Sequence, residues 1–434
     1  MDRIRRYFPS DPRAARDVFF TLFAGIACAA TPAMALVAPS GYSTGAALLF
    51  AGVLLSLPQW RRPLLPHPAW RWVIASFVVM GISWQVDSLL SHAGLRGADK
   101  PAKYLLALIC LFFVAQYRPG VRWLWGGTAA GAIGAGVTAI VQLVRAPSLA
   151  ASRAEGFTNA IQFGNLALLM AGICAIGLAL PAPWQRTAGW RALLGLGLAF
   201  GVAASLLSWS RGGWLGLAFV LPLLLIAAWP RVNGRRVALV ALVAAACVLA
   251  AWSTPQLGLR DRVDLVRTEA ELYQDRHEAD TSVGQRLEHW RLAWRLGTER
   301  PVVGWTQRGY TEEKQRLVAA GEYSPFILQF NHAHNEFLDL FAKRGLVGLA
   351  ALLFLYAVPI ALFWPRRAAL EADGPDADLL GLRLAALSVP LAYIGFGLTQ
   401  GFIGHNSGTM FFLFYTLAAY GCLWGRKTAH TPRP

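Results

Sequence analysis

Three residues in this chain carry reactive or anion-binding groups in unusual settings. His334 lies in Gln329–Phe–Asn331–His332–Ala–His334–Asn335–Glu336–Phe–Leu–Asp339, where a polar stretch passes into a long apolar one. That junction reads as the start of a helix. A helix N-terminus disfavours positive charge, so an imidazole there is kept neutral and able to accept a proton. Arg211 occurs in Ser208–Trp–Ser210–Arg211–Gly–Gly213, a tight connection between two apolar stretches. An arginine at membrane depth is costly unless it has a partner, which makes a functional role the default reading. The rival reading is an anchor snorkelling beside Trp209 and Trp214. Arg286 lies in a polar segment upstream of His334. Guanidinium groups match phosphate oxygens two at a time, so Arg211 and Arg286 together suit a diphosphate. Ser210, His332 and Asn335 are candidate supporting residues. His332, His334, Glu336 and Asp339 also raise a metal site, but their spacing is loose and no matching ligand pair occurs elsewhere in the segment. No metal or other cofactor is therefore expected. There is no P-loop lysine beside the glycine-rich stretches, and no Asp-x-Asp pair in the polar segment.

The elements that hold these residues must be membrane spans. Of the 434 residues, 56% are hydrophobic and 15% are charged, whereas a soluble domain carries roughly a quarter charged. A spanning helix needs about 20 mainly apolar residues. Stretches of that kind lie near 18–37, 43–58, 70–90, 102–117, 122–144, 157–180, 190–208, 213–229, 236–254, 336–364, 379–403 and 408–425. The second is short and the tenth long. Every connection on the side of the N-terminus carries at least two basic residues, while two connections on the other side carry none. By the positive-inside rule both termini are cytoplasmic. Most of the formal +16 charge is thus an orientation signal, and nucleic acid is not an expected partner. A cleaved signal peptide ending at Ala33–Met34–Ala35 is the rival reading of the first span. The run is longer than a signal core, which favours an uncleaved helix. Cys28, Cys110, Cys174, Cys247 and Cys422 all fall inside spans and read as apolar packing residues.

The expected fold is an all-α polytopic membrane protein of about 12 transmembrane helices, with one large periplasmic loop of short helices between spans 9 and 10. The expected divisions are 1–254 for spans 1–9, 255–335 for the loop, 336–425 for spans 10–12, and 426–434 for a cytoplasmic tail. The loop has mixed charges and is nearly neutral. Ser282–Val–Gly–Gln285 reads as a capping box opening an amphipathic helix over 283–297, lying against the membrane with Leu287, Trp290, Arg291 and Trp294 at helical spacing. Arg286 and His289, three apart, share another face. A second polar helix is expected over 311–320, after the Pro301–Val–Val–Gly304 turn.

Taken together these motifs resemble the O-antigen ligase family, which is related to O-antigen polymerases and bacterial protein O-oligosaccharyltransferases. The resemblance rests on Ser208-x-Ser210-Arg211-Gly212, Arg286-x-x-x-Trp290, Pro301-x-x-Gly304 and His334–Asn335-x-x-Leu338 running into Gly345–Leu–Val–Gly348, in that order. Gly156–Phe–Thr–Asn159 and Asn165 resemble the opening of an earlier family span. Where relatives often have a second glycine after the Pro-x-x-Gly turn, this chain has Trp305 and Thr306. The resemblance implies a GT-C-like glycosyltransferase of the bacterial inner membrane. It would transfer O-antigen from undecaprenyl diphosphate to lipid A–core oligosaccharide at the periplasmic face, with inversion. His334 would be the general base, and Arg211 and Arg286 would stabilise the leaving diphosphate. Polymerisation and protein glycosylation are the alternatives within the family. A transporter is the alternative outside it, although no internal repeat is visible and Asp87, Asp339, Lys343 and Arg344 lie only toward span ends.

Overall fold

A computed structural model describes residues 11–59, 69–146, 152–210, 212–228, 259–276, 279–365 and 377–429. Every element among them is helical. In chain order the α-helices are α1 (Pro12–Met34), α2 (Thr44–Ser56), α3 (Trp70–Leu90), α4 (Asp99–Tyr117), α5 (Val121–Val144), α6 (Ala160–Ala179), α7 (Ala188–Leu207) and α8 (Gly212–Ala228). They continue with α9 (Leu259–Arg276), α10 (Ser282–Glu299), α11 (Thr306–Ala319), α12 (Glu336–Phe363), α13 (Ala377–Gly397) and α14 (Asn406–Ala429). Among the described residues, seven helices are long and apolar enough to cross a membrane: α1, α3, α5, α6, α7, α12 and α13. Helices α2 and α8 are apolar but shorter. The expected ninth span, with Cys247, lies outside the described residues, as does Arg211. Cys28, Cys110, Cys174 and Cys422 are buried, and no disulfide joins them to one another.

Helices α6 and α13 are buried almost throughout and form the middle of the bundle, flanked by α5, α7 and α8. Small residues let these helices approach closely. On α5, Gly127 and Gly131, four apart, face the backbone carbonyls of Ala29 and Pro32 on α1 at distances that no Cβ would fit. Small residues at this spacing are a means of tight packing where lipid removes the hydrophobic drive between helices. The outer faces expose large apolar side chains such as Ile82, Leu105, Ile140 and Leu225, as a lipid-facing surface requires.

The polar helices α9, α10 and α11 form a separate layer with its own small core, in which Leu292, Leu296, Tyr310, Leu317 and Ile327 pack together. Two expectations, the cap of α10 and the start of α11, are corrected here. Thr281, not Ser282, caps α10, accepting from the Gly284 amide at 3.0 Å. Two adjacent hydroxyl residues both suit a cap, and sequence does not choose between them. The buried stripe of α10 is Glu288, His289, Leu292, Ala293, Leu296 and Gly297, while Trp294 is 60% exposed. Helix α11 begins at Thr306, well before residue 311.

The long tenth stretch is two helices joined at a kink. Gly345 has φ 61° and ψ −160°, a conformation that interrupts α12. Pro301–Gly304 packs into the break. The amides of Leu346 and Val347 donate to the carbonyls of Pro301 (2.7 Å) and Val302 (3.2 Å), and the Trp305 amide donates to the carbonyl of Ala342 (2.9 Å). Backbone groups orphaned by the break are thus satisfied by the turn. Gly304, at φ 69°, lies against the backbone of Lys343 and Arg344 so closely that a Cβ would come within 2.4 Å. Beside the break, the buried Asp87 at the end of α3 binds Arg344 at 2.9 Å, and its other oxygen accepts from the Gln307 amide at 2.8 Å. One carboxylate therefore joins α3, α11 and α12.

Candidate active site

Asn335 caps α12, its side chain accepting from the amides of Phe337 (3.0 Å) and Leu338 (3.1 Å). His334 is the residue before the cap, as the sequence indicates, and its φ of 51° turns the chain sharply into the helix. The approach is fixed from both sides. The Ala333 amide donates to Asp339 at 2.9 Å, and the His334 amide donates to Nδ1 of His332 at 3.2 Å. Asp339 is in turn held by Lys343, which also donates to the carbonyl of Asn331.

Three aromatic rings surround His334, and a fourth lies beyond His332. Its ring centroid lies 4.2 Å from that of His332, 4.7 Å from Phe330 and 5.5 Å from His289 on α10. His405, in the connection from α13 to α14, is 6.1 Å from His332. The cluster is mostly screened from water, and burial pushes every one of these imidazoles below the usual histidine range. His289 and His332 are lowered to about 3, first by burial and then by His334 nearby. His334 is also lowered by burial, with Arg286 adding to the lowering and the hydrogen bond to Gln400 opposing it. Lys314 on α11 is lowered to about 8 by burial and by Lys343. The histidines are neutral near pH 7, and the positive charges beside them are Arg286, Lys314 and Lys343. Among the described residues no group of three His, Cys, Asp or Glu side chains could hold a metal ion.

Arg286 is half-buried on α10, one turn before His289, so the face shared by these two residues is the one turned to His334. Arg211 lies outside the described residues, but the chain on either side of it is placed. The Ser210 hydroxyl donates to Asn165 on α6 at 2.7 Å, and Gly212 abuts Thr399, the neighbour of Gln400. The residues flanking Arg211 therefore lie beside α6 and beside the segment that carries Gln400. Asn159 opens α6 as its cap, accepting from Ile161 and Gln162. Gln142 brackets Gly156, donating to its carbonyl at 2.9 Å and accepting from its amide at 3.0 Å. Beside His405 an open polar cavity of about 360 Å³ is lined by Lys100, Thr158, Asn159 and Ser407.

Sequence reasoning missed Gln400 and His405. The eleventh span was expected to run to 403, which hid Gln400 inside it; α13 ends at Gly397. A glutamine, a histidine and an asparagine within seven residues of an apolar stretch were the available signal.

Residues 196–353 match the family model described as O-antigen ligase. All four ordered motifs, from Ser208 to Gly348, lie within that match. The match and the seven apolar helices support a multi-pass membrane protein of the O-antigen ligase and polymerase type. An uncharacterized protein from Haemophilus influenzae (strain ATCC 51907 / DSM 11121 / KW20 / Rd) is 23% identical over 381 residues, covering 87% of this chain and 92% of that protein.

Proposed function

We propose that the protein ligates O-antigen from undecaprenyl diphosphate onto lipid A–core oligosaccharide at the periplasmic face of the inner membrane. The observation that carries the mechanism is the neutral, half-enclosed His334 imidazole at the start of α12, facing Arg286. His334 takes the proton from an acceptor hydroxyl as its oxygen attacks the anomeric carbon. The bond from that carbon to the diphosphate breaks on the opposite face, inverting the centre. Undecaprenyl diphosphate leaves, its added negative charge held by Arg286 and Arg211. Charge stabilisation by preorganised cations in a water-poor site is an effective use of binding energy, and two guanidinium groups can supply it without a metal.

The test is purified protein with lipid-linked O-antigen and core acceptor, with product identity read by mass. Replacing His334 with Ala is expected to lower turnover by about 10²-fold or more. A variant with normal turnover overturns the base assignment. A product in which the glycan is joined to a second lipid-linked glycan, or to protein, identifies the acceptor class as that of the polymerase or of the protein glycosyltransferase.

A further inference from the structure

We infer that Gln400 is a positioning residue that fixes the proton of His334 on Nδ1 and leaves Nε2 free to take the acceptor's proton. The inference rests on the reading of His334 as the base. Gln400 is 4% exposed and has an imidazole at each end of its amide. Its Oε1 lies 3.0 Å from His334 Nδ1, and its Nε2 lies 3.3 Å from His405 Nε2. An amide oxygen only accepts, so Nδ1 of His334 carries the hydrogen and Nε2 has the free lone pair. An amide nitrogen only donates, so His405 accepts at Nε2 and carries its own hydrogen on Nδ1. Reversing the amide would reverse both tautomers at once, and His334 would become a donor where the reaction needs an acceptor. The amide's direction and the tautomers of His334 and His405 are therefore set together. This is the part that a carboxylate takes beside the histidine of a hydrolase, taken here by a neutral group that orients the ring without making it much more basic.

The placement is held from His334's own helix. The carboxylate of Glu336 accepts from the amides of Phe402 (2.7 Å) and Ile403 (2.9 Å), and the Asn335 amide group reaches the carbonyl of Leu398 (3.4 Å). The two residues after the base thus pin the segment on either side of Gln400. The charged and titratable groups around the pair are Arg286 and His289 on α10, Lys314 on α11, His332, Glu336, Asp339 and Lys343 near the α12 start, and His405 with Lys100 beyond it.

Two variants test this, read as kcat against pH at saturating lipid-linked donor, with melting in detergent as a check on folding. Gln400→Leu removes the acceptor and is expected to lower kcat by about 10²-fold at every pH, a loss of the size that misplacing a catalytic group brings. Gln400→Glu restores an acceptor-only group. It is expected to recover kcat at high pH while moving the acidic limb to higher pH, because a carboxylate beside the imidazole favours its protonated form. A purely structural glutamine would give a stability loss in both variants and an unmoved limb, and that result overturns the inference. So does full kcat in Gln400→Leu. If His334→Ala is fully active, the function proposed above fails instead. If His334→Ala is inactive and the Gln400 variants behave as wild type, only the present inference fails.

Discussion

At the scale of single residues, His289 is the unusual group. It is fully buried, and neither ring nitrogen has a hydrogen-bond partner among the described residues. Its folded pKa is lowered to about 3, so between the ordinary 6.5 and that value the unfolded chain binds a proton that the folded one does not. Stability from this residue is complete above pH 6.5 and declines as pH falls toward 3, at a rate of about 1.4 kcal/mol per pH unit. His289→Phe keeps a ring against Phe330 and His334 and removes the titration. Its apparent melting temperature in detergent is expected to fall less than that of the wild type between pH 6.5 and 5. An equal fall in both would assign the acid sensitivity elsewhere. His334 and Arg286 were legible at this scale because a polar-to-apolar junction and a guanidinium at helical spacing leave marks in one dimension. Gln400 was not, since its meaning comes from two imidazoles 66 and five positions away.

At the scale of elements, the break in α12 organises the site. A Cβ on Gly345 would sit 2.3 Å from the backbone of Val302, at a φ that L residues rarely adopt. Gly345→Ala is expected to cost a few kcal/mol, of the order of 3, through both strain and clash. It should lower transferase activity as well, because the turn that seats α10 against α12 must shift. Gly304→Ala should behave alike. Since the two glycines face each other's neighbours, the double variant is expected to be less destabilised than the two single losses added together. Melting temperatures of the three variants measure this, and strict additivity would mean that the contact is not shared. Hydropathy is continuous across 336–364, so the sequence presents one long span; the glycine is visible, but its positive φ is not. Helix α10 buries the small residues Ala293 and Gly297, which let α12 come close, with Phe341 packed on Gly297.

For the whole molecule, the break also resolves the excess length of the tenth stretch. Residues 346–363 form a helix of about 27 Å, close to the thickness of a bilayer core, while the half that carries Glu336, Asp339, Lys343 and Arg344 belongs with the polar layer. The reading that both termini face the cytoplasm predicts opposite exposure for the two ends of the bundle. An impermeant thiol reagent should label Glu299→Cys once the outer membrane is permeabilised. It should reach Thr187→Cys only after the inner membrane is opened, with labelling of the native thiols subtracted. Equal labelling of both positions would reverse or remove the assigned orientation. The basic residues at the Thr187 end are legible in the sequence as an orientation signal, whereas the single guanidinium of Arg286 beside His334 leaves no trace in the net charge.

The splice between Pro301–Gly304 and the two halves of α12 has a further consequence for how the molecule comes apart. If the polar layer lifted away, the first amides of the spanning helix would lose the carbonyls of Pro301 and Val302 at a depth where water replaces them poorly. Detaching that layer and fraying the span are therefore one event. His334, just before α12, and Arg286 on α10 therefore share a single opening transition, with no cheap partly open state in which one is in place without the other.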